Sequence, residues 1–135
     1  MATVYKEFTV AAGVDSVWEA LRGFGAVHER LAPGFVIDCH LEQDARVVKF
    51  STGLVAREML VGIDEQARRL CYSSVGGKAT HHNASAQVFA EADGKSRFVW
   101  ITDVLPNYLA GFIDAMMEQG IKVMKNTLQR KPLIK

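Results

Sequence analysis

"NYLAGFIDAMMEQGIKVMKNTL", Asn107 to Leu128, is the segment on which the fold turns. Leu109, Phe112, Ile113, Met116, Gly120, Met124 and Leu128 recur at spacings of three and four, the period of a helix with one apolar stripe. Pro106 stands just ahead of its first turn, where a missing N–H costs nothing. What so long a stripe covers depends on what precedes it.

Six strand-like runs precede it: Phe35 to Glu42, Arg46 to Ser51, Leu54 to Asp64, Arg68 to Val75, His81 to Ala90 and Arg97 to Val104. The intervening "EQDA", "DEQA" and "ADGK" are short enough for hairpins, which makes the runs sequential antiparallel neighbours. Further upstream, Thr3 to Val10 puts Val4, Phe8 and Val10 on one face of a first strand. "AGVDSVWEALRGFG" then spaces Val14, Val17, Trp18, Leu21 and Phe24 as a helix, with Asp15 or Ser16 available as N-cap and Gly25 as the stop. "AVHERLAPG" adds a short helical turn before Pro33-Gly34. The element order β-α-α-β6-α predicts an α+β domain, a curved antiparallel sheet wrapped around the long C-terminal helix, with a cavity between them.

The 135 residues, 49% hydrophobic with a formal net charge of +1, predict a single domain over 1–135 that buries roughly two thirds of its unfolded surface. The basic drift at the tail (Lys122, Lys125, Arg130, Lys131, Lys135) is too mild for a nucleic-acid footprint. No apolar run reaches the roughly 20 residues of a membrane span, and Met1 to Glu7 lacks the order of a secretion signal, so the expected location is cytoplasmic. Cys39 and Cys71 have no paired spacing and read as buried free thiols. With no HxH, HExxH, CxxC, P-loop, GxGxxG, GxSxG or SxxK, no metal, cofactor or nucleophilic triad is expected.

"VDSVWEALRGF" (Val14 to Phe24), "REMLVGIDEQARRLCYSSVGG" (Arg57 to Gly77) and "GKSRFVWITDVLP" (Gly94 to Pro106) resemble the START-like, or helix-grip, superfamily. Within it the resemblance is to the SRPBCC group of polyketide cyclase/dehydrase and lipid-transport proteins, which includes the birch-pollen allergens. The resemblance implies the helix-grip fold and a hydrophobic cavity; it does not select among carriers, cyclases and co-chaperone domains. "STGLVAREML" (Ser51 to Leu60) is similar to the gate loop of the plant abscisic acid receptors. It departs from them at Val55, where they have the gate proline, and a hormone-binding lysine is missing, so hormone reception is not expected.

The residues with chemistry to offer sit on strands, where neighbours point to opposite faces. "THHNASAQVF" (Thr80 to Phe89) therefore sets His81, Asn83, Ser85 and Gln87 against His82, Ala84, Ala86 and Val88, and its two histidines cannot share a metal. Hydrophobicity alone turns Ala84, Ala86 and Val88 inward; the resemblance implies the opposite, with His81, Asn83 and Ser85 on a wet cavity. The resemblance also turns Glu58 inward, where burial or an Arg or His partner would make it an acid, base or ligand anchor; the plain alternative is a solvent-facing strand carboxylate. Tyr72, Trp100 and Thr102 follow the same pattern as core aromatics and pocket lining. On the long helix Phe112, Met116 and Met124 line the cavity and Gly120 leaves room beside them. Three functions fit: binding a small hydrophobic ligand (lipid, polyketide or aromatic metabolite); a cyclase/dehydratase-like enzyme using Glu58 or His81 as proton carrier; and a co-chaperone-type interaction module. The last expects a filled core and an outward apolar face of Val55, Met59, Val61 and Ile63, a face that would equally suit a homodimer.

Overall fold

The chain after residue 35 folds into consecutive antiparallel strands because its hairpins close on short connections, the longest being the five residues 76–80 and the five residues 91–95. The structure, a computed structural model, describes residues 1–129. Strands β2 (Val36–Glu42), β3 (Ala45–Phe50), β4 (Val55–Asp64), β5 (Arg69–Val75), β6 (His81–Ala90) and β7 (Ser96–Leu105) form a meander, and β1 (Ala2–Val10) pairs with β7. The sheet order is β1-β7-β6-β5-β4-β3-β2. Gln43, Arg68 and Asp93 take left-handed backbone angles at three of the turns, which tightens these connections.

Helix α1 (Val14–Arg22), a 3₁₀ turn (Phe24–Ala26) and a π turn (Val27–Leu31) carry the chain from the β1 edge of the sheet to the β2 edge. Val17, Trp18, Ala20 and Leu21 form the buried stripe of α1. Its N-cap is Gly13 without a side-chain cap, two residues before Asp15 and three before Ser16, and Gly23 ends it. Asp15 sits instead in the first turn, where the helix dipole favours a carboxylate, and meets Arg68 at 3.1 Å. A latch of Trp18 Nε1 and Arg22 on the Glu65 carboxylate ties α1 to the β4–β5 hairpin. Arg22 first and Trp18 second hold that carboxyl below its ordinary range.

The long helix α2 (Ala110–Gln129) begins after Pro106 and a 3₁₀ turn (Asn107–Leu109). Arg130, Lys131 and Lys135 of the basic tail lie outside the described residues. Helix α2 crosses the inner face of the sheet, but not over its middle. Gly120 lies so close to two aromatic rings that a Cβ there would meet Trp100 Cζ3 at 3.0 Å and Phe35 Cε2 at 3.2 Å. The room left by this glycine is therefore taken by two rings of the fold, a correction to its expected role beside a ligand. Lys6 of β1 reaches Asp114 and Glu118 of α2, both at 2.9 Å, and these partners raise its pKa. The helix is thus held to the β1–β7 side and does not itself cover the inner faces of β3, β4 and β5.

At the other end of the core Phe8 stacks on Phe98 at 5.0 Å, and Val10, Val17, Leu70, Val88 and Phe98 are almost fully occluded. Each such side chain contributes about 1.5–3 kcal/mol by burial. A β-bulge between Leu60 and Gly62 changes the phase of β4, setting Ile63 opposite Leu70 of the inner face. The expected outward row of Val55, Met59, Val61 and Ile63 is therefore broken in phase, although Val55, Val61 and Ile63 are all exposed. Cys39 is buried and Cys71 half-buried, and both are free.

Replacing Gly120 by leucine is expected to lower stability by about 1–3 kcal/mol through overpacking against Trp100 and Phe35. Gly111→Ala, with open space around it on the same helix, should raise stability by about 0.5–1 kcal/mol. Chemical denaturation of both variants checks the contrast.

Candidate ligand-binding cavity

Because α2 sits to one side, the inner face of β3 to β5 bounds a cavity of about 970 Å³. Leu21, Val27, Leu31 and Phe35, from the connection between β1 and β2, close one end. Met116, Met117 and Met124 of α2 form one wall; Val48, Ala56, Leu70 and Ala86 lie on the sheet wall. The mouth lies between the β3–β4 loop, the β5–β6 loop and the start of α2, where Val55, Lys78, Tyr108 and Phe112 stand at the rim. Phe112, expected as a lining residue, is 54% exposed there. A space of this size with largely apolar walls and a few polar groups is what small-molecule sites have in common. It also runs against the filled core expected of a surface-acting interaction module.

The polar groups come from adjacent inward positions on neighbouring strands. Arg46 opposes Glu58 across the β3–β4 hairpin, and Glu58 opposes Ser74 across β4–β5. Arg46 Nε donates to Glu58 Oε1 at 2.8 Å and Nη1 to the Phe24 carbonyl at 3.1 Å; both side chains are about nine-tenths buried. The guanidinium also lies over the Phe24 ring at 4.1 Å and over the Tyr72 ring at 5.2 Å, so its faces as well as its edges are engaged. Glu58 thus faces inward as the resemblance implied, and the partner it needs is Arg46. One row deeper, the Tyr72 hydroxyl accepts from Trp100 Nε1 at 3.2 Å. Burial and, next, the nearby Glu58 charge push the Tyr72 pKa far up, so it stays a phenol.

On β6 the cavity face is the other one. Ala84, Ala86 and Val88 are buried and His82 lines the cavity, whereas Asn83 is exposed and His81 and Ser85 alternate onto the outer side. The expectation that His81, Asn83 and Ser85 face inward is corrected. A one-residue change of parity swaps every side chain of a strand, and plain hydrophobicity had the right phase. Residue 83 lies in the outer row with Ser73 and Asp103, and residue 85 with Cys71 and Ile101. His81 accordingly drops out as a proton carrier for anything bound in the cavity. Burial holds the His82 pKa below its ordinary value, partly opposed by the Glu58 charge, with His81 adding to the depression.

Thr102, Trp100, Tyr72, Met116 and Met124 all border the cavity; Gly120 does not. Arg46, Ser74 and His82 were not singled out from the sequence. One signal for Arg46 was present: a hairpin centred on Thr52 places it opposite Glu58, each six residues from the centre. Among the described residues no three His, Cys, Asp or Glu side chains cluster as a metal site, and no helix is long and apolar enough to cross a membrane.

A family profile described as polyketide cyclase / dehydrase and lipid transport matches residues 1–130. No curated protein matches the chain. Among solved structures, an uncharacterized protein from Bacillus thuringiensis superposes with a TM-score of 0.85 at 15% identity, covering 96% of this chain and 100% of its own. The protein XoxI from Bacillus cereus gives 0.85 at 17% identity over 95% of this chain and 96% of its own. A solution NMR structure from Thermobifida fusca gives 0.78 at 26% identity, covering 96% and 91%.

Two outcomes follow from the site's electrostatics. Arg46→Met should destabilise the fold by about 3–5 kcal/mol because it leaves Glu58 buried without its partner, whereas Arg46→Met combined with Glu58→Leu should lie near the parent; urea titrations of the two measure the difference. The unfolded chain takes up a proton on His82 at higher pH than the folded one, so stability should fall as pH drops below about 6.5. His82→Phe should flatten that limb of a stability-against-pH curve.

Proposed function

Since the chain belongs to the polyketide cyclase / dehydrase and lipid transport family, we propose that it binds a small, mostly hydrophobic molecule in the cavity between β3–β5 and α2. The observation that carries this is the cavity itself, about 970 Å³ with a largely apolar lining and an open rim. Transfer of an apolar body of drug size into such a space gains on the order of 25 cal/mol for each Å² removed from water. The methionines 116, 117 and 124 give that wall unbranched, adaptable side chains suited to more than one ligand shape. Ligand classes compatible with the space are lipids, polyketides and aromatic metabolites.

An enzymatic role is a second reading, favoured by one specific observation: Glu58 and His82 both border the cavity. Proton transfer requires a group near its substrate that changes protonation at working pH. Glu58 is engaged by Arg46, which leaves the neutral imidazole of His82 as the candidate base on this reading. His82→Gln would then abolish turnover with ligand affinity retained.

Native mass spectrometry of the protein freshly purified from its source cells tests the binding reading, with denaturing extraction to identify what is bound. A defined small molecule near one-to-one occupancy is the expected result. A clean apo mass, together with no uptake of the neutral dye Nile red by the folded protein, would overturn it.

A further inference from the structure

The polar pole of the cavity carries no net charge. Arg46 is its buried cation, and Glu58 answers that charge at 2.8 Å. His82 adds none, since burial favours its neutral form. The remaining charged side chain among the polar lining near the mouth is Lys78, which is exposed to solvent at the rim. Arg57, also at the rim, is paired with Glu42 on the outer side.

The unused valences of this pair have a definite polarity. Among the described residues Glu58 Oε2 has no donor, and it is not one of the occluded unpartnered side-chain atoms, a set that holds His28 Nδ1 alone. It therefore opens on free space, as an acceptor. Arg46 uses Nε and Nη1 and likewise leaves Nη2 as a free donor that is not occluded. The Tyr72 hydroxyl already accepts from Trp100, so its own proton remains to be donated.

We propose that the cavity selects uncharged amphiphiles whose buried end carries a hydroxyl, a group that donates to Glu58 and accepts from Arg46 or Tyr72, and that it rejects the carboxylate of the same apolar body. A ligand carboxylate here would lose its water, find the one buried cation already neutralised, and stand beside the Glu58 charge. A hydroxyl suffers none of these losses and satisfies both open valences. This inference rests on the binding reading above and specifies its ligand class.

Competition against Nile red separates the two. At about pH 8, 4-hexylphenol is neutral and 4-hexylbenzoate is charged, with the same apolar body. On the wild-type protein the phenol should displace the dye at a concentration at least tenfold below the benzoate. Glu58→Gln, which frees the Arg46 charge, should shift that ratio at least tenfold toward the benzoate. Arg46→Met with Glu58→Leu removes both charges without leaving a lone one; it should retain Nile red, require at least a severalfold higher concentration of the phenol for displacement because the hydroxyl's partners are gone, and still exclude the benzoate. This double variant also keeps the proposal testable if Glu58→Gln fails to fold. Equal displacement by the two compounds on folded wild type overturns the proposal while leaving the binding reading intact. A benzoate preference abolished by Lys78→Gln overturns it too, by placing the head group at the rim. Failure of wild type to take up Nile red and both compounds would instead overturn the binding reading on which the proposal rests.

Discussion

The contact of Gly120 of α2 with the rings of Trp100 and Phe35 governs the rest of the architecture. With no side chain at residue 120, the helix settles directly onto the Trp100 and Phe35 rings. Lys6 fixes the same helix from the β1 edge through Asp114 and Glu118. With α2 committed to that side, no element remains to cover the inner faces of β3, β4 and β5 near the mouth. The cavity is thus the area of sheet that a single offset helix cannot reach.

That geometry explains why a charged pair is tolerated deep in an apolar domain. Burying two ions costs several kcal/mol each unless they are paired and hydrogen-bonded. Arg46 meets the condition four ways: a carboxylate, a backbone carbonyl and two aromatic faces. Because adjacent strands set Arg46, Glu58 and Ser74 side by side, the polar groups gather at one pole and the lining elsewhere stays mostly apolar. The sheet's register, rather than any sequence motif, assembles them.

The fold was legible in the sequence because its signals are local. Turn residues and alternation mark the strands of the meander, and the three-four spacing from Leu109 to Leu128 marks α2. The site was less legible because it depends on phase and on distant partners. Glu58 could be assigned inward, yet its neighbour Arg46 is visible only once the β3–β4 hairpin is counted from Thr52. On β6, the alternation of Ala84, Ala86 and Val88 carried the right phase, and the family pattern misplaced His81, Asn83 and Ser85 by one residue. Gly120 reads from the sequence as room on the buried stripe, but what fills that room belongs to β7 and to the loop before β2, far away in the chain.

The two tryptophans occupy unlike surroundings. Trp18 is buried in the α1 stripe with its indole N–H held by Glu65, at the hairpin end of the sheet. Trp100 borders the cavity and donates to the Tyr72 hydroxyl. Anything entering the cavity alters the polarity around one indole and leaves the other as it was. The chain therefore carries its own optical gauge of occupancy, with an internal reference built into the same molecule.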